Sequence, residues 1–381
     1  MDGSDPMALW PDASLTAGQL PHSRGADRGW IATANNDPYG FTADGQVDND
    51  PFYYSAIFPP GWRAHRIERE IQRLIGEGPI TVEQMQLLQG DDHSNLADQL
   101  VPLLVTAWEN AQTDPTLADF AANDEVAQLV QLLTVDWDGR MERSSSGAVA
   151  FHAWAHLLTE QVMGDDLIST LYNTVLNTAP MYLLKVAALA LEGRYPNGDQ
   201  VLQEGRDAII LAAVERTAGY LVERFGTVDP SAYTFADMRV SSMAHAYGRG
   251  VDLGEVPTDG GESTVNVAQS HWFADPSTGE LADRWISHWG PIERQVMDFD
   301  ADGVPRSYVN FPQGNVADEN SPHFADAMSD WVEDEYRLLR FHRDEIEADI
   351  ARDEVTLNPV YEAIKERAGE SRQRAQQSAY V

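Results

Sequence analysis

A chain of 381 residues can form two or three structural units with a sizeable core, and 43% hydrophobic with 9% aromatic residues is a folding composition. Acidic residues number 61 against 26 basic ones, a formal net charge of −35, and Lys185 and Lys365 are the only lysines. That balance argues against a nucleic-acid partner, the lack of cysteine excludes disulfides and thiolate sites, and no apolar run reaches the roughly 18 residues of a membrane span.

Residues 1–29 are rich in Gly, Pro, Asp and Ser and read as an irregular connecting segment. Residues 1–11 lack the basic and apolar regions of an export signal. A short strand is expected over 29–34, running into the turn sequence Asn35-Asn36-Asp37-Pro38-Tyr39-Gly40. After a loop to residue 60 the period changes. Ile67, Ile71 and Leu74 mark one face of a helix over 63–75, and Thr81 with Gln84 forms a capping box opening a second helix that ends at Leu88. Helical periodicity returns over 96–108, 126–133, 148–163, 167–175, 182–191 and 201–225.

Beyond Gly226 the sequence turns β-like, with strands expected at 263–267, 294–299 and 307–311, a closing helix over 336–350 and a polar tail after Pro359. The organisation expected is a connecting segment at 1–29, a core strand and loop at 30–60, a helical region at 61–226, a β-rich return with its closing helix at 227–345, and a C-terminal helix and tail at 346–381. Strand, helical excursion, strands and helix in that order predict an α+β fold.

Each candidate site has a plain structural reading beside a functional one. Asn35 suits a turn because its side chain satisfies local backbone, yet an amide at a strand end is also a usable oxyanion donor. Arg63, Arg66 and Arg69, interleaved with Glu68 and Glu70, read first as a salt-bridged helix face and second as a source of an orienting guanidinium. His152 and His156 sit one helical turn apart with Glu160 a further turn on, but the HExxH pattern is missing and Phe151, Trp154 and Leu157 surround them, so a core pair is the plainer reading. Asp48 and Asp50 lie in a loop where calcium could bind, although surface acids are expected throughout so acidic a chain. Gly260-Gly261-Glu262 is a loop without phosphate-cradle context, and no GxSxG or SxxK motif occurs.

Seven segments stand in a familiar order: GWIATANNDPYG (29–40), GWRAHRIEREI (61–71), ITVEQMQLLQGDDHSNLA (80–97), VDWDGRM (135–141), GGESTVN (260–266), ERQVMDF (293–299) and SPHFADAMSDW (321–331). Their series resembles the β-subunit of the penicillin acylase family across about residues 10–355. The resemblance implies an N-terminal-nucleophile amide hydrolase, in which self-cleavage exposes a serine whose own α-amino group serves as base. That serine forms an acyl-enzyme which water then hydrolyses.

It further implies a partial αββα sandwich with a large helical insertion. Asn35 falls at the family's oxyanion-hole asparagine and Arg66 at the arginine of the RxxRI segment, a site-orienting residue. Asp48 or Asp50 falls near a calcium ligand, and calcium is the one cofactor implied. The family's nucleophile and much sheet-forming sequence precede the ANN motif, whereas only 34 residues precede Asn35 here, and Ser4 and Ser14 do not match the nucleophile motif. The expected partner is therefore the missing N-terminal half, that is, the α-subunit and the start of the β-subunit, and the expected substrate is a small acyl amide: a β-lactam, an acyl homoserine lactone or another. A catalytically inactive remnant or acyl-ligand binding protein is the alternative, and a helical metal-binding protein built on His152 and His156 is a third.

Dispersed acids with almost no lysine also point to folding in concentrated salt rather than to an acidic interaction domain. Screening over roughly 3 Å at about 1 M salt removes repulsion that a Debye length of roughly 10 Å leaves in place at about 0.1 M. Thermal melts are expected to show cooperative unfolding at about 3 M KCl and progressive loss of structure toward about 0.1 M. Equal stability at both salts would contradict this reading.

Overall fold

A long, small-residue-rich apolar stretch becomes the axis of the helical region. In the computed structural model, which describes residues 16–20, 22, 28–37, 58–164, 167, 171, 174–175, 180–194, 201–244, 252–270 and 282–350, helix Ser146–Met163 is buried on nearly every side. A helix apolar all round can only be central. Seven further helices of eight or more residues are described; in chain order they are α1 (Trp62–Glu77), α2 (Val82–Gln89), α3 (Asn95–Ala111), α4 (Asp124–Gln131), then the central helix as α5, α6 (Pro180–Leu191), α7 (Arg206–Phe225) and α8 (Arg343–Ile350). Helix α7 packs along α5, α3 and α4, and α6 covers another side of α5. Trp154 and Leu104 are fully enclosed between them, and the Trp154 indole donates to the Ile210 carbonyl.

Local chemistry sets the helix ends. The Thr81–Gln84 capping box forms as the sequence predicts, with Gln84 N–H donating to Thr81 Oγ1 and Thr81 N–H to Gln84 Oε1. Ser94 and Ser145 cap α3 and α5 by accepting from Ala97 and Ala148 N–H. Helix α7 stops at Gly226, whose φ of +77° suits a residue without a Cβ.

Contacts divide the chain into two units, Met1–Arg294 with Asn310–Tyr336, and Gln295–Val309 with Arg337–Val381. The first holds the helices α1–α7 and a four-stranded sheet of order β2-β1-β4-β3, with β1 at Arg239–Met243, β2 at Gly254–Val256, β3 at Gln269–Ser270 and β4 at Trp285–Trp289. Strands β1 and β4 run parallel, with Ser241 opposite Ser287, while β2 and β3 flank them antiparallel. Strands β5 (Arg294–Phe299), β6 (Pro305–Asn310) and β7 (Arg337–Leu339) form a second sheet in that order, which with α8 makes up most of the second unit. Asp300 closes the β5–β6 turn by accepting from Asp302 and Val304 N–H.

Three expected elements come out differently. No strand forms over the described part of 29–34, because Ala34 spends its backbone on side chains: its carbonyl accepts from Arg63 and its N–H donates to the Asn36 amide oxygen. Residues 263–267 form turns, since Thr264 Oγ1 bonds to Gly261 N–H and to the Asn266 carbonyl, and pairing starts only at Gln269. The helix expected over 336–350 begins later, after β7 has paired with β6. Of the helix expected over 167–175, only Leu167, Leu171, Thr174 and Val175 are described. Strands β1, β2 and β4 were not anticipated, because RVSSM, GEV and WISHW carry too many polar residues to show alternation.

Leu104→Ala is expected to cost about 2–5 kcal/mol, because its site between helices cannot collapse. Leu87, 75% exposed on α2, should tolerate alanine within about 0.5 kcal/mol. Denaturant titrations in high salt measure both, and equal costs would mean that the helical block is not packed as described.

Candidate active site

Asn35 has a φ of +61°, a left-handed conformation that asparagine tolerates better than most residues. Its side chain is exposed, and its Oδ1 accepts from Arg63 Nη2 at 2.9 Å. The same Nη2 lies 2.9 Å from the Ala34 carbonyl. A guanidinium can only donate, so the atom facing it is the amide oxygen and Nδ2 points away. No partner for that nitrogen occurs among the described residues. Arg63 is itself half-buried, and that burial lowers its pKa from the ordinary arginine value. Asn36 behaves differently: its Oδ1 takes Ala34 N–H at 3.2 Å and its Nδ2 donates to the Asp37 carbonyl.

Arg66 stands three residues along α1 and meets other groups. Its Nε and Nη2 grip Asp91 Oδ2 at 3.0 and 2.6 Å, and its Nη1 lies 3.0 Å from Glu70. Asp91 is where several of the sequence motifs converge. Its carbonyl accepts from Asn266 N–H at 2.8 Å, and Asn266 Oδ1 accepts from Arg294 Nη2 at 2.8 Å. Arg294 also donates to the Trp331 carbonyl at 3.1 Å and pairs with Asp334 at 3.1 Å.

Next along the chain, Asp92 accepts from Met141 N–H through its carbonyl and pairs with Arg140, and Ser94 Oγ lies 2.9 Å from Ser263 Oγ. Gly260, at φ +92°, donates to the Met141 carbonyl, and a Cβ there would collide with the Asn266 carbonyl oxygen. The segments QGDDHSN, DGRM, GGESTVN and ERQ therefore meet in one polar knot. Asp91, Asn266, Arg294 and Asp334 were not singled out from the sequence; the first three lie inside motifs that were.

The two histidines also acquire a neighbour from far along the chain. His152 and His156 are buried with ring centroids 5.1 Å apart, and Glu262 Oε2 lies 3.5 Å from His152 Nδ1. Glu160, the nearer carboxylate in sequence, instead pairs with Arg216 at the surface at 2.6 Å. Asp48 and Asp50 lie outside the described residues.

With this geometry in place, comparison with known proteins is direct. A family model for penicillin amidase matches residues 1–348. The chain belongs to the penicillin amidase family. It is 22% identical over 372 residues to the acyl-homoserine lactone acylase QuiP of Pseudomonas aeruginosa, a match covering 89% of this chain and 41% of that protein. Its fold is similar to a thermostable penicillin G acylase from Alcaligenes faecalis, with a TM-score of 0.50 and 16% identity over 86% of this chain and 56% of that one. The chain thus spans less than two thirds of either relative. The α+β class expected from the sequence holds, and the family is the one that the ordered motifs resembled.

The polar knot has a pH consequence. Burial pushes the Asp92 carboxyl up to about 7, against the pull of Arg140 at 2.5 Å. An unfolded aspartate titrates near about 3.9, so the native state binds more protons across the interval between the two values. The group's stabilising contribution is complete below about pH 4 and is lost as pH rises through about 7. Asp92→Asn should flatten that fall in stability by on the order of 2–4 kcal/mol, read as the difference in denaturation midpoints at acidic and neutral pH. Unchanged pH slopes would mean that Asp92 is ionised in the fold.

Proposed function

We propose that this chain supplies the oxyanion side of an amidohydrolase that cleaves an N-acyl amide through an acyl-enzyme. The nucleophile belongs to sequence outside the matched motifs, carried in the same polypeptide or in another. The observation that carries the reading is the Asn35 amide. Its oxygen is tied to Arg63, its nitrogen faces outward, and its backbone sits at a fixed turn. A donor held in advance stabilises the negative charge on a tetrahedral carbonyl carbon's oxygen without reorganising during the reaction. Arg63 is then a positioning residue that fixes which end of the amide is presented, and Arg66 holds α1 to the Asp91 knot behind it.

Family membership supports amide hydrolysis. Relatives named for acyl-homoserine lactones and for penicillin G leave both acyl classes as candidate substrates. The acid-rich, lysine-poor composition supports a reading in which the enzyme works in concentrated salt.

The test is single-turnover acylation by the chain combined with the nucleophile-bearing remainder of the enzyme, in molar salt. Asn35→Ala is expected to lose roughly 10²–10³ in rate, about 3–4 kcal/mol, with little change in folding. Asn36→Ala removes two local bonds and is expected to cost about 1 kcal/mol of stability while leaving the rate per folded molecule nearly unchanged. The chain by itself is expected to show no turnover of acyl-anilides. Equal rate losses in both variants, or in neither, would remove Asn35 from the oxyanion site. Ligand binding without acylation in the combined protein would favour the inactive acyl-binding alternative.

A further inference from the structure

The geometry points to a second site, away from Asn35: His152, His156 and Glu262 form a buried pocket for one divalent transition-metal ion, with zinc the best match to its donors. One nitrogen of each imidazole and one carboxylate oxygen lie within 4.8 Å of one another, and all three residues are buried. In a tetrahedral zinc site, ligand bonds of about 2.0–2.2 Å put the donor atoms roughly 3.4 Å apart. The His152 to Glu262 distance of 3.5 Å already meets this, and the remaining separations need only side-chain adjustment.

A void of about 10 Å³ adjoins the three residues, bounded also by Ser94 and Ser263. That is close to the smallest space that holds a single water molecule, the usual fourth ligand of a three-residue site. Two imidazoles with one carboxylate suit zinc, whereas calcium and magnesium require oxygen ligands throughout.

The surroundings prepare the ligands. Glu262 is oriented by Ser270 N–H, which donates to its other oxygen at 3.1 Å, the kind of outer bond that fixes a ligating carboxylate. Arg239, whose charge also bears on His152 and Glu262, donates through Nη1 to the Thr258 and Asp259 carbonyls. His152 is enclosed by the rings of Phe235 and Trp285, so the fourth position is closed to any substrate. The site is structural. It ties α5, the axis of the helical block, to the loop that carries Asn266 and leads into β3, two segments more than a hundred residues apart.

The experiment uses the full chain, purified in about 3 M KCl with excess magnesium to occupy surface carboxylates, stripped with a chelator and titrated with zinc or cobalt(II). One tightly held equivalent of zinc is expected, with a raised melting temperature and, for cobalt, the intense visible absorption of a four- or five-coordinate ion. His156→Gln combined with Glu262→Gln is expected to weaken that equivalent by roughly 100-fold or more. Exposed His65→Gln should leave it unchanged. No tight equivalent in the wild type, a weak octahedral cobalt spectrum, or full retention in the double variant would each overturn the site. If the double variant does not fold, the wild-type cobalt spectrum decides, because magnesium-competed surface carboxylates cannot produce the low-coordinate band. Neither readout involves amide hydrolysis, so the outcome stands apart from the role of Asn35.

Discussion

Asn266 is held from both ends: its N–H donates to the Asp91 carbonyl while its side-chain oxygen accepts from the buried guanidinium of Arg294. Removing a guanidinium from water is costly unless its donors find acceptors, and both terminal nitrogens of Arg294 do so, in Asn266, Asp334 and the Trp331 carbonyl. Asp91 in turn needs a cation, and Arg66 on α1 provides two of its donors. The route from helix α1 to Asp91, Asn266 and Arg294 is therefore a chain of mutually dependent polar burials. Loss of one member would leave the others unpaired in a low-dielectric setting, where an unmet group costs more than a met one contributes. Asn35 is attached to the same construction through Arg63, one helical turn from Arg66.

This dependence explains what could be read from the sequence and what could not. Helices were legible because burial of one face imposes a period, as Ile67, Ile71 and Leu74 show, and because Thr81 with Gln84 announces its own cap. Strands were less so. β1 and β4 bury serines opposite each other, Ser241 and Ser287, so the polar inward residues erased the alternation that marks a strand. The expected strand at 263–267 failed for a related reason: a threonine hydroxyl supplied the hydrogen bonds that a ladder would have given. Family motifs carried information that periodicity did not, because they lie at the contacts between distant segments.

The site residues divide in the same way. Position 35 was accessible because an asparagine in a turn has a small set of uses, but the residue that fixes its amide is Arg63 rather than the Arg66 of the motif. Three arginines at helical spacing cannot be told apart without knowing what stands opposite each. Likewise His152 and His156 suggested a ligand pair, and the carboxylate one turn on, Glu160, faces Arg216. Glu262 completes the cluster from across the fold, and no spacing rule links it to the histidines.

Composition and architecture meet in the choice of arginine. A chain with 61 acidic residues and two lysines must neutralise buried carboxylates with guanidinium groups, and the pairs at Asp91 and Asp334 are both of that kind. Arginine can engage two acceptors in a fixed plane, which lysine cannot, and Arg66 uses this to hold Asp91 and Glu70 together. Salt then separates these pairs from the others. Exposed pairs such as Arg343 with Glu347, at 85% and 61% side-chain exposure, lose most of their attraction when the Debye length shrinks to roughly 3 Å at about 1 M. Arg66 with Asp91, at 14% and 11%, admits few ions between its partners and keeps its strength. In concentrated salt the surface network contributes little and the polar knot becomes the part of the electrostatics that specifies the fold. The Asn35 amide is attached to that part, through Arg63 on α1, and so remains positioned under conditions that dissolve the rest of the charge pattern.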